Sequence, residues 1–403
     1  MKIAIIGGGA AGMFCAANIN PDNNEVVVLE SGRDLLRKVE QSGGGRCNIT
    51  NAEPDVEKFI QNYPRGGGRL RKPLRKFGNR ELADWFNERG VNFIKEKDGR
   101  VFPESEDSNE IIDCLLRECR KRGVIFRMPF TATSVEKQNE KFIITGRHGD
   151  SIAADKIIFA FGGKWNADLQ ESLEKFGHKF HNALPSLFPL KTNFKKLTDL
   201  AGATLKNAVL RYPAQKLESS GDLLITHEGI SGPCALKMSS LGARIFNELD
   251  YKFILELAAI SDVDSFKNFC AQAREYAAKK LVKNFYPEEI SQGYWIFALE
   301  KSIIPSDKTW AQFSADEQKR LTQTLSSLPL QITGRAANAR EFVTCGGIDL
   351  GNIDFNTMQS KKTTGLFFAG ECLDIDAFTG GYNLQAAWTT AKLAADACSI
   401  PMQ

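Results

Sequence analysis

The chain is poor in metal-ligand and disulfide chemistry. It has four histidines (His148, His178, His181, His227), and its nine cysteines (Cys15, Cys47, Cys114, Cys119, Cys234, Cys270, Cys345, Cys372, Cys398) are scattered, odd in number and never spaced Cys-x-x-Cys. Neither a metal site nor a disulfide framework is expected, and the thiols read as reduced. No apolar run reaches the ~18 residues that would span a bilayer. Met1 leads straight into a strand rather than into a charged leader, so a cytoplasmic protein with no membrane partner is expected. Charge of one sign is scarce too: 52 Lys and Arg against 49 Asp and Glu leave a formal +3 over 403 residues. That is too little to mark a nucleic-acid binder or a trap for acidic substrates, and no nucleic-acid partner is expected. A basic cluster (Arg65, Arg69, Arg71, Lys72, Arg75, Lys76, Arg80) reads as a solvated face or loop, with an anion or partner site as the alternative. What is present, 42 % apolar and 25 % charged residues, is the composition of a globular protein long enough for two or three domains.

The first thirty residues carry the strongest signal. An apolar strand (Ile3 to Ile6) runs into Gly7-Gly8-Gly9-Ala10-Ala11-Gly12, then a small-residue helix, a second strand (Val26 to Leu29) and Glu30. This is the order of parts in a dinucleotide-binding βαβ unit. Gly7 turns the chain off the strand, Gly9 leaves room for a pyrophosphate, and Gly12 lets the helix lie close on the sheet. Phosphates then meet the free N–H groups at the helix start. Glu30 can accept from both hydroxyls of a ribose and would repel a 2′-phosphate, which favours FAD or NAD over NADP at this site.

Further along, Gln41 to Asn51 is Gly-rich and polar and reads as a loop against something flat or charged. Apolar spacing predicts helices over 80–93 and 108–122, and strands at Val124 to Phe126, Phe142 to Thr145 and Lys156 to Phe161, the last ending in Gly162-Gly163. From about 190 to 345 the texture changes to short β-like segments (Leu205 to Tyr212, Asp222 to Thr226, Phe253 to Leu257) and then a helix-rich stretch at 262–328. The dinucleotide-binding texture returns at Thr363 to Glu371, where a buried strand meets Gly370-Glu371. Gly380-Gly381-Tyr382-Asn383 then opens a small-residue helix. The fold class expected is α/β: a discontinuous Rossmann-type FAD-binding domain (1–190 and 346–403), an inserted β-barrel-like domain (191–261 and 329–345) and a small helical domain (262–328).

The return decides between cofactors. FAD is longer than the reach of one βαβ unit and recruits a distant strand–turn–helix at its isoalloxazine end. Gly370 permits close approach, Glu371 can hold hydroxyls, and the helix beginning near Gly381 aims its N–H groups at the flavin edge where negative charge builds on reduction.

With these residues in place, the chain resembles the HI0933-like (YhiN/BaiN) flavoproteins. The resemblance runs through Gly7 to Gly12, Ser42 to Asn51, Gly99-Arg100-Val101-Phe102-Pro103, Leu184 to Leu187, Thr226 to Pro233, Thr344 to Gly347, Gly370 to Asp376 and Gly380 to Gln385. It implies FAD-dependent oxidoreductase activity, with family members linked to bile-acid enone reduction and aminoacetone oxidation. Here Gly163 is followed by Lys164-Trp165-Asn166-Ala167-Asp168 where relatives carry a longer Gly- and Ser/Thr-rich stretch, so the substrate can differ. The candidate cofactor residues are Gly7, Gly9, Ala10, Ala11, Gly12, Glu30, Ser31, Lys38, Gly44, Gly45, Arg46, Cys47, Asn48, Thr50, Ala160, Gly162, Gly370, Glu371, Gly381, Tyr382, Asn383 and Leu384.

A flavin performs hydride chemistry itself, so the protein must orient a small-molecule substrate and move a proton. His227, in a Gly/Ser/Pro-rich turn, and Tyr382 are the candidate proton donors. His227 has the alternative of tying its turn together. Arg46 is expected at the pyrophosphate and Cys47 as a small packing residue beside the ring. NAD(P)H or O₂ would be the other redox partner. A second function class is an FAD-binding module serving an RNA-modifying or regulatory complex.

Overall fold

In the computed structural model of the protein, residues 1–163, 166–336 and 343–401 are described. Lys164 and Trp165 lie outside the described residues. The chain divides into two compact units, Met1–Ala183 with Val343–Gln403, and Leu184–Phe342. The sequence reading places these boundaries at 190/191 and 345/346.

The first unit is built on a seven-stranded sheet. Its strands, in spatial order, are Ile353–Asp354, Gln359–Ser360, Leu366–Phe368, Lys156–Phe159, Lys2–Ile6, Glu25–Leu29 and Ile125–Arg127. The last five are mutually parallel, with Ile5 opposite both Val28 and Ile158, and the first two form an antiparallel hairpin at the edge. Ile3 to Ile6 and Val26 to Leu29 are buried without alternation, as strands covered on both faces must be. One cover is the Ser108–Lys121 helix. Asp107 caps it by accepting from the Asn109 N–H (2.9 Å), and Ile111, Cys114, Leu115 and Cys119 form its buried stripe. Each such fully buried aliphatic side chain contributes about 1.5–3 kcal/mol.

The Tyr382–Cys398 helix is buried almost all round. Its small residues, Ala387 and Ala391 among them, let it lie against the Ala10–Ala16 helix, where the Cys15 thiol reaches the Ala391 carbonyl (3.3 Å). The C-terminal part of the chain thus packs on the N-terminal βαβ unit. At the far end of this helix the buried Lys156 ammonium donates to the carbonyls of Cys398 (2.9 Å) and Ile400.

The second unit is a closed antiparallel barrel of six strands: Leu190–Thr192, Gly229–Ser231, Leu217–Ile225, Thr204–Tyr212, Phe253–Ala258 and Leu328–Arg335. Leu210, Leu223, Leu255, Leu257 and Leu330 fill it. Between its last two strands lie the helices Val263–Tyr276, Gln292–Lys301 and Ala315–Ser326, packed around Trp295 and Trp310. The architecture is the Rossmann-type α/β class with a barrel and helices that the sequence implies. Among the elements that were not expected are the helices Gly67–Lys76, Gly232–Leu241 and Ala243–Glu248. The stretch read as a loop at 41–51 is more ordered than that, ending in a short strand (Thr50–Asn51) paired to Arg100 and Val101.

Candidate functional site

The glycines after the first strand fall into two kinds. A side chain at Gly7 (φ +113°) would run into the Ala160 carbonyl, and one at Gly12 would run into the carbonyl of Gly7. Both are glycine because the chain itself fills the space. Gly9 is different. Its φ of −83° suits any residue, and a Cβ there would meet no protein atom within 4 Å. Neither backbone nor packing asks for glycine at Gly9, which leaves a demand from outside the chain, such as a pyrophosphate lying against the loop. Ala10 and Ala11 follow at the start of the helix.

Glu30 faces this loop. One carboxylate oxygen accepts from the Gly8 N–H (2.7 Å), and the other accepts from the Gly32 N–H (2.6 Å) and the Ser31 hydroxyl (3.1 Å). The acid is thereby fixed against the glycine loop, with Ser31 turned toward it. At Gly43 to Cys47 the backbone turns left-handed at Gly43, Gly44, Gly45 and Cys47 (φ 59°, 73°, 91° and 60°). Side chains at Gly44 and Gly45 would also point into open space. Cys47 is buried, and burial pushes its thiol up to about 12, so it is a packed neutral thiol rather than a thiolate.

This loop is fastened to the C-terminal helix. Trp388 Nε1 donates to the Ile49 carbonyl (3.1 Å) and the Thr50 hydroxyl donates to Gln385 Oε1 (2.5 Å); with its amide turned to match its neighbours, Asn48 donates to the Thr50 and Val101 carbonyls and accepts from the Gly381 N–H. A side chain at Gly381 (φ +90°) would strike Thr50. Gly370 is pressed against Ala11, and its N–H donates to the Thr390 hydroxyl (2.9 Å). Glu371 accepts from the Thr344 N–H (3.0 Å), forms an ion pair with Lys38, and lies beside Gly162. The structure therefore gathers Lys38, Ala160, Gly162, Gly370 and Glu371 at the carboxyl ends of the parallel strands, and Asn48, Thr50 and Gly381 at the start of the long helix. Gln385, Trp388 and Thr390 were missed. They are buried polar groups on an alanine-rich helix, and that is the signal that could have found them. Trp388→Ala is expected to lower the unfolding free energy by about 3–5 kcal/mol in chemical denaturation, because it opens a cavity and releases the Ile49 carbonyl. Loss of under ~1 kcal/mol would mean that the loop is held elsewhere.

Not every expected residue is free to meet a phosphate. Arg46 donates to Glu96 and Glu106 (both 2.9 Å) and lies over the Phe102 ring (4.0 Å). Two carboxylates neutralise it, with Glu106 first and Glu96 next raising its already high pKa. The Asn383 amide both accepts from the Ala377 N–H (2.9 Å) and donates to the Ala377 carbonyl (2.8 Å), shaping the loop before the helix. Leu384 packs on the core. Tyr382 is nearly buried, edge-on to Phe59 (4.9 Å) and Tyr63 (6.1 Å), and burial, then Glu53 and Asp98, raise its pKa.

His227 belongs to the second unit. It is exposed in the tight turn between Leu217–Ile225 and Gly229–Ser231. The turn is tied by Thr226, whose N–H donates to the Gly229 carbonyl (2.8 Å) and whose hydroxyl accepts from the Gly229 N–H (3.1 Å). Among the described residues the His227 side chain has no hydrogen-bond partner, so it is not what closes the turn. All nine cysteines are buried. Among the described residues no cluster of His, Cys, Asp and Glu is placed to hold a metal, and no helix is long and apolar enough to cross a membrane.

A doubly covered parallel sheet, a glycine turn with unclaimed space at Gly9, and a distant strand–helix folded back onto it define a Rossmann-type dinucleotide-binding flavoprotein. Residues 1–397 match the HI0933-like protein Rossmann domain, and the chain belongs to that family of FAD-dependent oxidoreductases. It is 29 % identical over 398 residues to the ribosomal RNA dihydrouridine synthase of Escherichia coli K12, covering 96 % of this chain and 95 % of that one. It is 27 % identical over 415 residues to the 3-dehydro-bile acid delta(4,6)-reductase of Clostridium scindens, covering 99 % of each. Among solved structures it is similar to the 3-ketosteroid-delta4-(5alpha)-dehydrogenase of Rhodococcus jostii RHA1, with a TM-score of 0.51, 12 % identity and coverage of 99 % and 97 %. That last likeness speaks for the fold alone.

Proposed function

We propose that the protein reduces a carbon–carbon double bond conjugated to a carbonyl, with NAD(P)H as the electron donor. The unclaimed space at Gly9 carries the cofactor half of this reading. The names of two full-length relatives support the substrate half. Dihydrouridine is uridine saturated across a ring double bond conjugated to a carbonyl, and a 3-dehydro bile acid with Δ4,6 double bonds is a conjugated dienone. The same addition of a hydride and a proton, two electrons and two protons in all, serves both. A small-molecule enone is the first reading, and a uracil base within RNA is the second, favoured by the name of the E. coli relative.

FAD, held by Gly7 to Gly12, Glu30 and Gly370-Glu371, supplies the hydride when bound. The protein's task is then to polarise the substrate carbonyl and deliver one proton. Tyr382 is suited to this. Burial keeps its phenol protonated beyond the ordinary range, and its ring is fixed by Phe59 and Tyr63 independently of the hydroxyl. His227 is the alternative donor.

Tyr382→Phe is expected to slow substrate-dependent reoxidation of the flavin by ~10²–10⁴ while FAD content and melting temperature stay put. His227→Ala is the parallel test. A mutant with an unaltered half-reaction is retired as donor. The reaction itself is tested anaerobically, by bleaching the flavin with NADH or NADPH and offering enones, amines and uridine-containing RNA. Reoxidation by amine-derived products alone, or reduction of the flavin by amines, would overturn the reading.

A further inference from the structure

Away from the cofactor cradle, the first unit carries a cationic cavity of about 290 Å³ that none of the chemistry above uses. Arg69, Arg71 and Lys72 of the Gly67–Lys76 helix form one wall, and Asp354, Phe355 and Lys361 of the edge hairpin form the other. The cations are not equivalent. Arg71 is paired with Glu57 (2.9 Å), and Lys361 Nζ donates to the Gly351 carbonyl (3.2 Å) and lies within the influence of Asp354. Arg69 and Lys72 are exposed and, among the described residues, have neither an ion-pair nor a hydrogen-bond partner.

The carboxylate in the lining stays charged and offsets Lys361, the cation that acts on it. Asp354 accepts from the Asn356 N–H (3.0 Å), the Asn356 amide (2.9 Å) and the Thr357 hydroxyl (3.2 Å), which with Lys361 hold its pKa down, and Arg69 and Lys72 are left over. Lys76 extends the row and reaches across to the Asn356 carbonyl (3.4 Å). Arg69, Lys72 and Lys76 follow i, i+3, i+7 spacing along one helix face, a row of about 10 Å. A row suits charges strung along a chain better than one compact anion. Phe355, half-buried in the opposite wall, supplies an aromatic ring beside it. Cations in line with an aromatic platform are the chemistry that holds single-stranded nucleic acid, phosphates on the cations and a base on the ring.

We propose that this groove binds the sugar–phosphate backbone of a single-stranded RNA segment, with Arg69 and Lys72 as its phosphate contacts. The inference rests on the nucleobase form of the reaction above, and it assigns to that reaction a docking surface separate from the chemistry. It departs from the expectation drawn from net charge, because a formal +3 averaged over the chain says nothing of a local row.

The test is fluorescence anisotropy of a labelled oligouridylate titrated with FAD-loaded protein across a salt series. Wild type should bind with an affinity that falls steeply with salt. Arg69→Ala combined with Lys72→Ala should weaken binding at least ~10-fold and flatten the slope of log affinity against log salt by about 1.4, two single-strand phosphate contacts. Lys267→Ala, a cation of the other unit, should change neither. The flavin absorption band and melting temperature report that the double variant is folded and loaded. No binding by wild type, an unchanged slope in the double variant, or displacement of the oligonucleotide by inorganic phosphate at equal phosphate concentration would each overturn the proposal. RNA that binds with the predicted slope but does not reoxidise reduced flavin would sustain the groove and remove the nucleobase substrate, so the two failures are distinct.

Discussion

Gly9→Val is expected to give soluble, folded protein that has lost its flavin. The backbone at Gly9 already lies at φ −83°, which valine adopts without strain, and no protein atom approaches within 4 Å of the added Cβ. The fold therefore has no reason to object. A pyrophosphate does, because the branched side chain fills the space against which it would lie. Gly12→Val makes the control. Its Cβ would collide with the Gly7 carbonyl inside the βαβ unit, so this variant should fail to fold rather than fail to bind. Absorbance of the purified proteins, heat release of the chromophore and a melting curve separate the two outcomes. A yellow, stable Gly9→Val protein would show that the pyrophosphate lies elsewhere, and release of FMN or NAD from wild type would remove the FAD reading altogether.

A chain ending at Gly351 is expected to be colourless or insoluble, although it keeps every residue of the N-terminal motif. It lacks Leu366–Phe368, which pairs in parallel with Lys156–Phe159 in the middle of the sheet. It also lacks the Tyr382–Cys398 helix, and with it Trp388, Gln385 and Gly381, the anchors of the Asn48 to Thr50 loop. Gly7 to Gly12 would remain as sequence without Gly370, whose backbone lies against Ala11. Full FAD occupancy in soluble shortened protein would show that the first βαβ unit suffices.

Local signals were legible because each is complete within a few residues. The first thirty residues state a short continuous apolar run, a glycine break, a small-residue helix, a second apolar run and an acid in order, and the strand–Gly–acid at 366–371 repeats enough of that grammar to show that the domain resumes. The Gly67–Lys76 helix was hidden because its own residues argue against it. Gly66 caps it, Gly67 and Gly68 are its first two residues, and Pro73 inside it forfeits the bond to the carbonyl four residues back. Packing of Leu70 and Leu74 on the core overrides that penalty. The Gly232–Leu241 helix was masked in the same way by Gly232 and Pro233, which read as turn residues although Pro at the first helical position is favourable. The site was half legible. Which glycines face a ligand and which face the chain is invisible in a motif, and the commitment of Arg46 to Glu96 and Glu106 depends on a hairpin some fifty residues away. The links from Ile49 and Thr50 to Trp388 and Gln385 join residues more than three hundred positions apart, beyond anything periodicity can report.

The interrupted layout of the sheet also sets a timetable for synthesis. Lys156–Phe159 receives one neighbour, Lys2–Ile6, from the chain already made, but its other neighbour, Leu366–Phe368, is encoded beyond the entire barrel unit. At ~5–20 residues per second, the ribosome needs about 10–40 s to bridge that gap. Throughout it, an apolar strand from the middle of the finished sheet stands as an open edge, a template on which a second nascent chain can pair.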